Sequence, residues 1–214
     1  MKWFERFVES LNRHTVKSTS KKIAKDWENL QTGSSKQAVE ERTRWIKSAL
    51  ESLDSLCDEK TRNSIMIDTC PHSYPKTRIK EMRTEFEKLG SLDELIELMR
   101  RDTSWGGGSF YDYPIRKGDE IHITKVPYSQ KKYKSATTDE EKRLAYCHCG
   151  IVKRSSVEIS PTFCCCSGGW VKQLWDGIFE EPVEVKLVES LLKGDNQCTH
   201  AVRIPTRFLY DTEV

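Results

Sequence analysis

The sequence predicts an α+β protein: N-terminal helices followed by an antiparallel sheet with a packed helix, the C-terminal unit reading strand, helix, strand, strand. Two observations carry this. Apolar residues recur at three- and four-residue steps through roughly the first hundred positions. Alternation at period two begins only after them, past the run Gly106-Gly107-Gly108. The glycines therefore divide a helical region, 1–105, from an α+β region, 106–214, as two regions or as parts of one continuous domain.

In order along the chain, Trp3, Phe4, Phe7, Val8 and Leu11 form one buried helical stripe. After a polar stretch over residues 17–22, Ile23, Trp27 and Leu30 predict a short helix that stops near Gly33. Ser34 and Ser35 can cap a longer one with Val39, Trp45, Ile46, Ala49, Leu53 and Leu56 on its apolar face. Pro75 opens a helix through Ile79, Met82, Phe86 and Leu89, Gly90 ends it, and Ser91 caps the next, which buries Leu92, Leu95, Ile96 and Met99. Residues 120–126 alternate as a strand with Ile121, Ile123 and Lys125 on one face. A basic and aromatic stretch over 116–134 reads as a solvated loop, since acidic residues flank it. A short helix starts near Asp139. Two strands are expected at 145–153 and 157–164, joined at Arg154-Ser155-Ser156. A helix over 168–180 carries Val171, Leu174, Trp175, Ile178 and Phe179, and runs 183–192 and 197–204 form a hairpin about Lys193-Gly194-Asp195-Asn196.

Charge and hydropathy exclude several classes of function. With 35 basic and 33 acidic residues mixed along the chain, net +2, no global field suits a phosphate backbone, so nucleic acid is a poor default partner. No segment approaches the eighteen or so apolar residues that span a bilayer, and the first residues lack the apolar core of a signal peptide. A cytoplasmic protein is expected. Eight cysteines are many for a reducing compartment, and metal binding, catalysis or burial must account for them.

Cys147-His148-Cys149 and Cys164-Cys165-Cys166 each contain Cys-x-Cys. On neighbouring strands, residues two apart share a side, so Cys147, Cys149, Cys164 and Cys166 would converge to hold Zn²⁺, with His148, Cys70 or His72 as substitutes. The usual Cys-x-x-Cys zinc knuckle is absent. Two other readings stand beside this one. The cysteines can be buried as small apolar residues. Alternatively, Cys166, ahead of a helix starting at Ser167-Gly168-Gly169, has its pKa lowered by the helix N-terminus, whose amides would also suit a carboxylate or phosphate. His122 and His200 read as exposed or satisfied strand residues.

The run Phe163-Cys164-Cys165-Cys166-Ser167-Gly168-Gly169-Trp170, then Glu181-Pro182-Val183-Glu184-Val185, then residues 190–198 with Gly194-Asp195 and Cys198, resembles the 4-vinyl reductase, or hydrocarbon-binding, type of domain. That family is similar in turn to TRAPP vesicle-tethering subunits and haem-containing nitric-oxide sensors. The likeness spans residues 147–204. It implies helices on an antiparallel sheet, a small-molecule pocket lined by Phe163, Gly168, Gly169 and Trp170, and homodimerisation; Cys166, Gly168, Gly194, Asp195 and Cys198 match the motif. The crowding of Cys147, Cys149, Cys164 and Cys165 departs from it and looks more like cysteine-rich uncharacterised bacterial relatives. A second likeness is to the aminothiazoline-carboxylate hydrolase-like group.

Together these readings point to a cytoplasmic, sensor-like protein that binds a small molecule or zinc at a thiolate-rich site, more a binding module than an enzyme. The alternative is a small-molecule hydrolase using a cysteine or a metal-activated water. Neither nucleic acid nor membrane is an expected partner.

Overall fold

The computed structural model describes residues 2–106, 110–155 and 157–209, and its class is α+β. Along the chain run α1 (Lys2–His14), α2 (Lys17–Ile23), α3 (Lys36–Leu56), α4 (Glu59–Asp68), α5 (Lys76–Leu89), α6 (Leu92–Arg101), β1 (Ile115–Lys117) and β2 (Glu120–Thr124). Then come α7 (Gln130–Ser135), α8 (Asp139–Tyr146), α9 (Gly150–Arg154), a 3-10 turn Pro161–Ser167, α10 (Gly168–Phe179), β3 (Val185–Glu189) and β4 (Thr199–Arg203). Gly107 and Gly108 of the glycine run, and Ser156 of the expected connection, lie outside the described residues.

The elements group into two units. The first takes the chain up to Pro71 together with Cys147–Gly169, and the second takes His72–Tyr146 and the chain from Trp170 onward. Each unit thus draws on both sides of the glycine run.

In the first unit the α1 stripe is buried as its spacing predicts, with Phe7 and Leu11 wholly inaccessible, as are Leu50 and Leu53 of α3 and Ile65 and Met66 of α4. Each such side chain contributes about 1.5–3 kcal/mol on burial. Ser10 interrupts the stripe without cost, because its hydroxyl donates to the Ile65 carbonyl at 2.9 Å. The Ser35 side chain caps α3 by accepting the Ala38 amide at 3.2 Å. The polar stretch before Ile23 is itself the helix α2: only Ser20 and Ile23 of it are buried, and lysines cost little on the exposed face. Helix α4 has the weak amphipathic pattern of a segment with neighbours on several sides, and its start is fixed by Asp58 accepting the Thr61 amide at 2.7 Å.

The strands expected at 145–153 and 157–164 do not form. The first span is the end of α8, a connection and α9; the second leads into the 3-10 turn. Pro161 fixes its own φ and offers no amide to a ladder, and the Ser160 hydroxyl accepts the Thr162 amide at 3.3 Å, so the chain turns where an apolar run would otherwise extend.

The second unit holds a four-stranded antiparallel sheet in the order β1-β2-β4-β3. Its register sets Ile121 opposite Val202 and Val202 opposite Val185, and these three and Ile123 are buried. The β3–β4 pairing is the expected hairpin, closed through Gly194 at φ +91° and an Asp195 carboxylate that accepts the Ser190 amide at 2.8 Å. Strand β1, three residues long, is too short for periodicity to reveal. Part of the expected loop at 116–134 is the helix α7. Helix α10 buries Leu174, Trp175 and Phe179, and it runs so close to α5 that a Cβ on Gly177 would stand 2.1 Å from Ile79 Cγ2. Among the described residues no helix is long and apolar enough to cross a membrane.

Candidate functional site

The cysteine-bearing turn is fastened to the first unit by one carboxylate. Asp54 of α3 accepts hydrogen bonds from the Ser160 hydroxyl at 2.6 Å, the Thr162 hydroxyl at 2.7 Å and Arg62 of α4 at 3.3 Å. Arg62 is also ion-paired with this carboxylate, on which both hydroxyls converge as donors. Sequence reasoning missed Asp54, whose hydroxyl partners stand more than a hundred positions away along the chain.

Because Cys164, Cys165 and Cys166 lie on a 3-10 turn, with three residues per turn, positions two apart point to different sides. The strand geometry that would have converged Cys147, Cys149, Cys164 and Cys166 is therefore absent. Cys149 instead occupies the N-cap position of α9 with extended backbone, and Cys147 precedes it in the connection.

The contact that does form joins Cys166 to Cys70, one of the expected substitutes. Cys70 lies just beyond the C-terminus of α4, its carbonyl accepting from Arg6 at 2.6 Å. The Cys166 thiol donates a hydrogen bond to the Cys70 sulfur, and Cys149 is near enough for its thiolate to repel that of Cys166. The indole N–H of Trp3, buried and without a well-formed hydrogen bond, lies within range of Cys166 and favours its thiolate. The hydrogen bond to Cys70 and burial outweigh it, and the Cys166 thiol is pushed well above its ordinary value. This reverses the expectation of a thiol activated by a helix N-terminus. The same holds for the expected anion site. The 3-10 turn runs directly into α10, and the Gly168 amide donates to the carbonyls of Cys165 and Cys166.

Gly169 has a packing role. A Cβ there would fall 2.2 Å from the Ile67 carbonyl oxygen and 2.6 Å from Cys70 Cβ, so only glycine lets this backbone lie against the end of α4. Of the four expected pocket residues, Phe163, Gly168 and Gly169 belong to the first unit and Trp170 to the second. Phe163 packs against Trp3 with centroids 5.3 Å apart; Trp170 stacks on Tyr111 at 5.2 Å and packs on Tyr74 at 4.4 Å.

A family model described as a family of unknown function (DUF6144) matches residues 129–207. The matched stretch carries Cys147, Cys149, Cys164, Cys165, Cys166 and Cys198. No curated protein and no solved structure matches the chain.

All eight cysteines are thiols, none in a disulfide. Among the described residues no group of three or more His, Cys, Asp or Glu side chains stands ready to hold a metal ion. Zn²⁺ at this cluster would have to gather its sulfurs by side-chain rotation. Cys57 and Cys198 take no part: Cys57 is raised by burial and by Asp58 beside it, and buried Cys198 donates its amide to the Tyr146 hydroxyl at 3.0 Å in the second unit. An open groove of about 470 Å³ on the second unit is lined by Glu181, Val183, Glu184, Arg203 and Arg207, but its arginines are already paired, Arg207 with Glu181 and Arg203 with Asp119.

Proposed function

We propose that this chain is a thiol-dependent binding protein, sensor-like in character, whose first unit takes a thiophilic ligand at the sulfurs around Cys166. One observation supports the reading above the others: Cys70 and Cys149, from two other stretches of chain, each come within interaction range of Cys166, as does Trp3. Sulfur donors select soft and borderline ions, so Zn²⁺ is the metal of first choice, and an electrophilic organic molecule is the other member of the same class. Thiols in this number fit a reducing compartment such as the cytoplasm.

The test is the metal content of purified, untagged protein, with reactive thiols counted before and after chelation and small molecules released on denaturation identified by mass spectrometry. Bound zinc whose removal unmasks thiols supports the reading, as does a released molecule that protects Cys166 from alkylation. Protein free of metal and of small molecules, with a thiol count indifferent to chelator, overturns it.

A further inference from the structure

We infer that the outer face of the α7–α8 hairpin is a self-association surface: a second copy of this chain docks there with its α7 over α8 and its α8 over α7, about a twofold axis parallel to the helices. All the residues involved belong to the second unit, and nothing in the inference rests on the thiol reading. The Tyr128 amide donates to the Tyr146 carbonyl at 3.1 Å and the Ser129 amide to the Ala145 carbonyl at 2.9 Å, so the start of α7 lies beside the end of α8 and the two run antiparallel. Tyr133 and Tyr146 pack ring on ring at 5.2 Å, and both turn inward, their hydroxyls donating to the Asn196 and Lys125 carbonyls. Positions two apart on a helix point nearly opposite ways, so Lys131 and Leu144 turn outward together.

Charge is divided between the two helices. Helix α7 carries Lys131, Lys132 and Lys134 and no acidic residue; all three lysines are exposed, and among the described residues no carboxylate pairs with them. On α8, exposed Glu140 and Glu141 stand one turn before Leu144 on its face, while Lys142 on the opposite side pairs with Asp139 at 3.7 Å. Between the charges the surface is apolar and open. Tyr128 is 63% exposed, Leu144 44% and Phe110 50%, the last joined to this stretch by its carbonyl, which accepts the Val126 amide at 3.1 Å. The twofold sets Lys131 and Lys134 of each copy against Glu140 and Glu141 of the other and brings Tyr128 onto Leu144 of the second copy. Stacking α7 on α7 would instead set lysine on lysine. A nucleic acid or an anionic lipid surface is the poorer match, since an extended polyanion would meet Glu140 and Glu141 beside the lysines. With α8 only about 12 Å long, the pair is of the small, transient class, steered and held by charge.

The test is sedimentation velocity of the intact chain over a series of concentrations at low and high salt, with reductant and chelator present so that neither a disulfide nor a metal joins two copies. The expected result is a reversible species of twice the chain mass that grows with concentration at low salt and is lost at high salt. Lys131→Glu with Lys134→Glu, and separately Glu140→Lys with Glu141→Gln, should each stay single, because each sets like charge against like. Glu141→Gln keeps an oxygen for the Thr137 and Thr138 amides that Glu141 now accepts. Mixing the two variants, or combining all four changes in one chain, should restore the double mass, a gain that misfolded hairpins could not produce. A single-chain mass at every concentration in low salt overturns the inference, as does a dimer indifferent to salt and to both sets of changes, or failure of the combined changes to restore it. So does a chain that stays single while the same lysines bind phosphatidylserine vesicles or an oligonucleotide.

Discussion

At Cys166 the balance of local forces is the reverse of what its place ahead of a helix implies. A helix N-terminus favours the thiolate, but here the preceding 3-10 turn occupies the Gly168 amide, and the hydrogen bond to Cys70 together with burial holds the proton on. Alkylation of Cys166 by iodoacetamide should accordingly be slow at neutral pH and accelerate as pH rises past the ordinary thiol range. Cys70→Ala removes the acceptor and the nearby negative charge, so the Cys166 thiolate should appear at lower pH and neutral-pH alkylation should quicken; an unchanged pH profile would remove Cys70 as the cause. The linkage sign follows: a thiol raised in the folded state stabilises below its unfolded value, and that stability is lost as pH climbs through the folded one. Gly169 makes a second prediction. In Gly169→Ala the new methyl meets a backbone carbonyl that cannot rotate away, so thermal unfolding should report a loss of about 3 kcal/mol. Both residues were legible in the sequence as special, but not their roles, because the partner that decides each, Cys70 or the Ile67 carbonyl, is far away along the chain.

Among the elements, those with strong periodicity and caps were readable: α1, α3 with Ser35, α5 and α6 about Gly90 and Ser91, α10, β2, and the β3–β4 pair all lie where their patterns place them. Besides the helices α2 and α7 in stretches read as polar connections, the main misreading is at 145–164, where short apolar groups around Pro161 look like strands and are in fact held as turns by long-range hydrogen bonds to Asp54. Asp54→Ala strips two hydroxyls and Arg62 of their acceptor at a partly exposed site, for an expected cost of about 1–2 kcal/mol. It should also raise the alkylation rates of Cys164 and Cys165 more than that of Cys198, which sits in the other unit; equal changes would mean that Asp54 does not position the turn. In the sheet, Glu120 hydrogen-bonds Lys186 of β3 and, at 3.3 Å, His122 of its own strand, and these partners hold its carboxyl below the usual range. A depressed carboxyl stabilises above its unfolded pKa, and that stability goes as pH falls through the folded value. Glu120→Gln should therefore flatten part of the acid limb of the stability–pH curve while leaving the alkaline limb unchanged.

Over the whole molecule, the order of patterns along the sequence and the grouping in space are different things. Helical periodicity followed by alternation places a division at the glycine run, yet the first unit recruits Cys147–Gly169 from beyond it. No linear pattern could show this, because what ties the returning segment down is Phe163 against Trp3, Gly169 against Ile67 and the hydroxyls on Asp54, each a pairing of residues more than a hundred positions apart. Without that segment Trp3 loses an aromatic neighbour and Asp54 keeps only Arg62. Residues 1–105 expressed alone would also carry only α5 and α6 of the second unit, without the sheet and α10 that complete it. The fragment should thus show helical circular dichroism with a broad, weakly cooperative melt, and red-shifted tryptophan emission as Trp3 gains water. A sharp transition near that of the intact chain would mean that the helices are self-sufficient. The thiol cluster would then be an attachment to a finished helical domain, and Cys70 would wait in it for a partner the domain does not need.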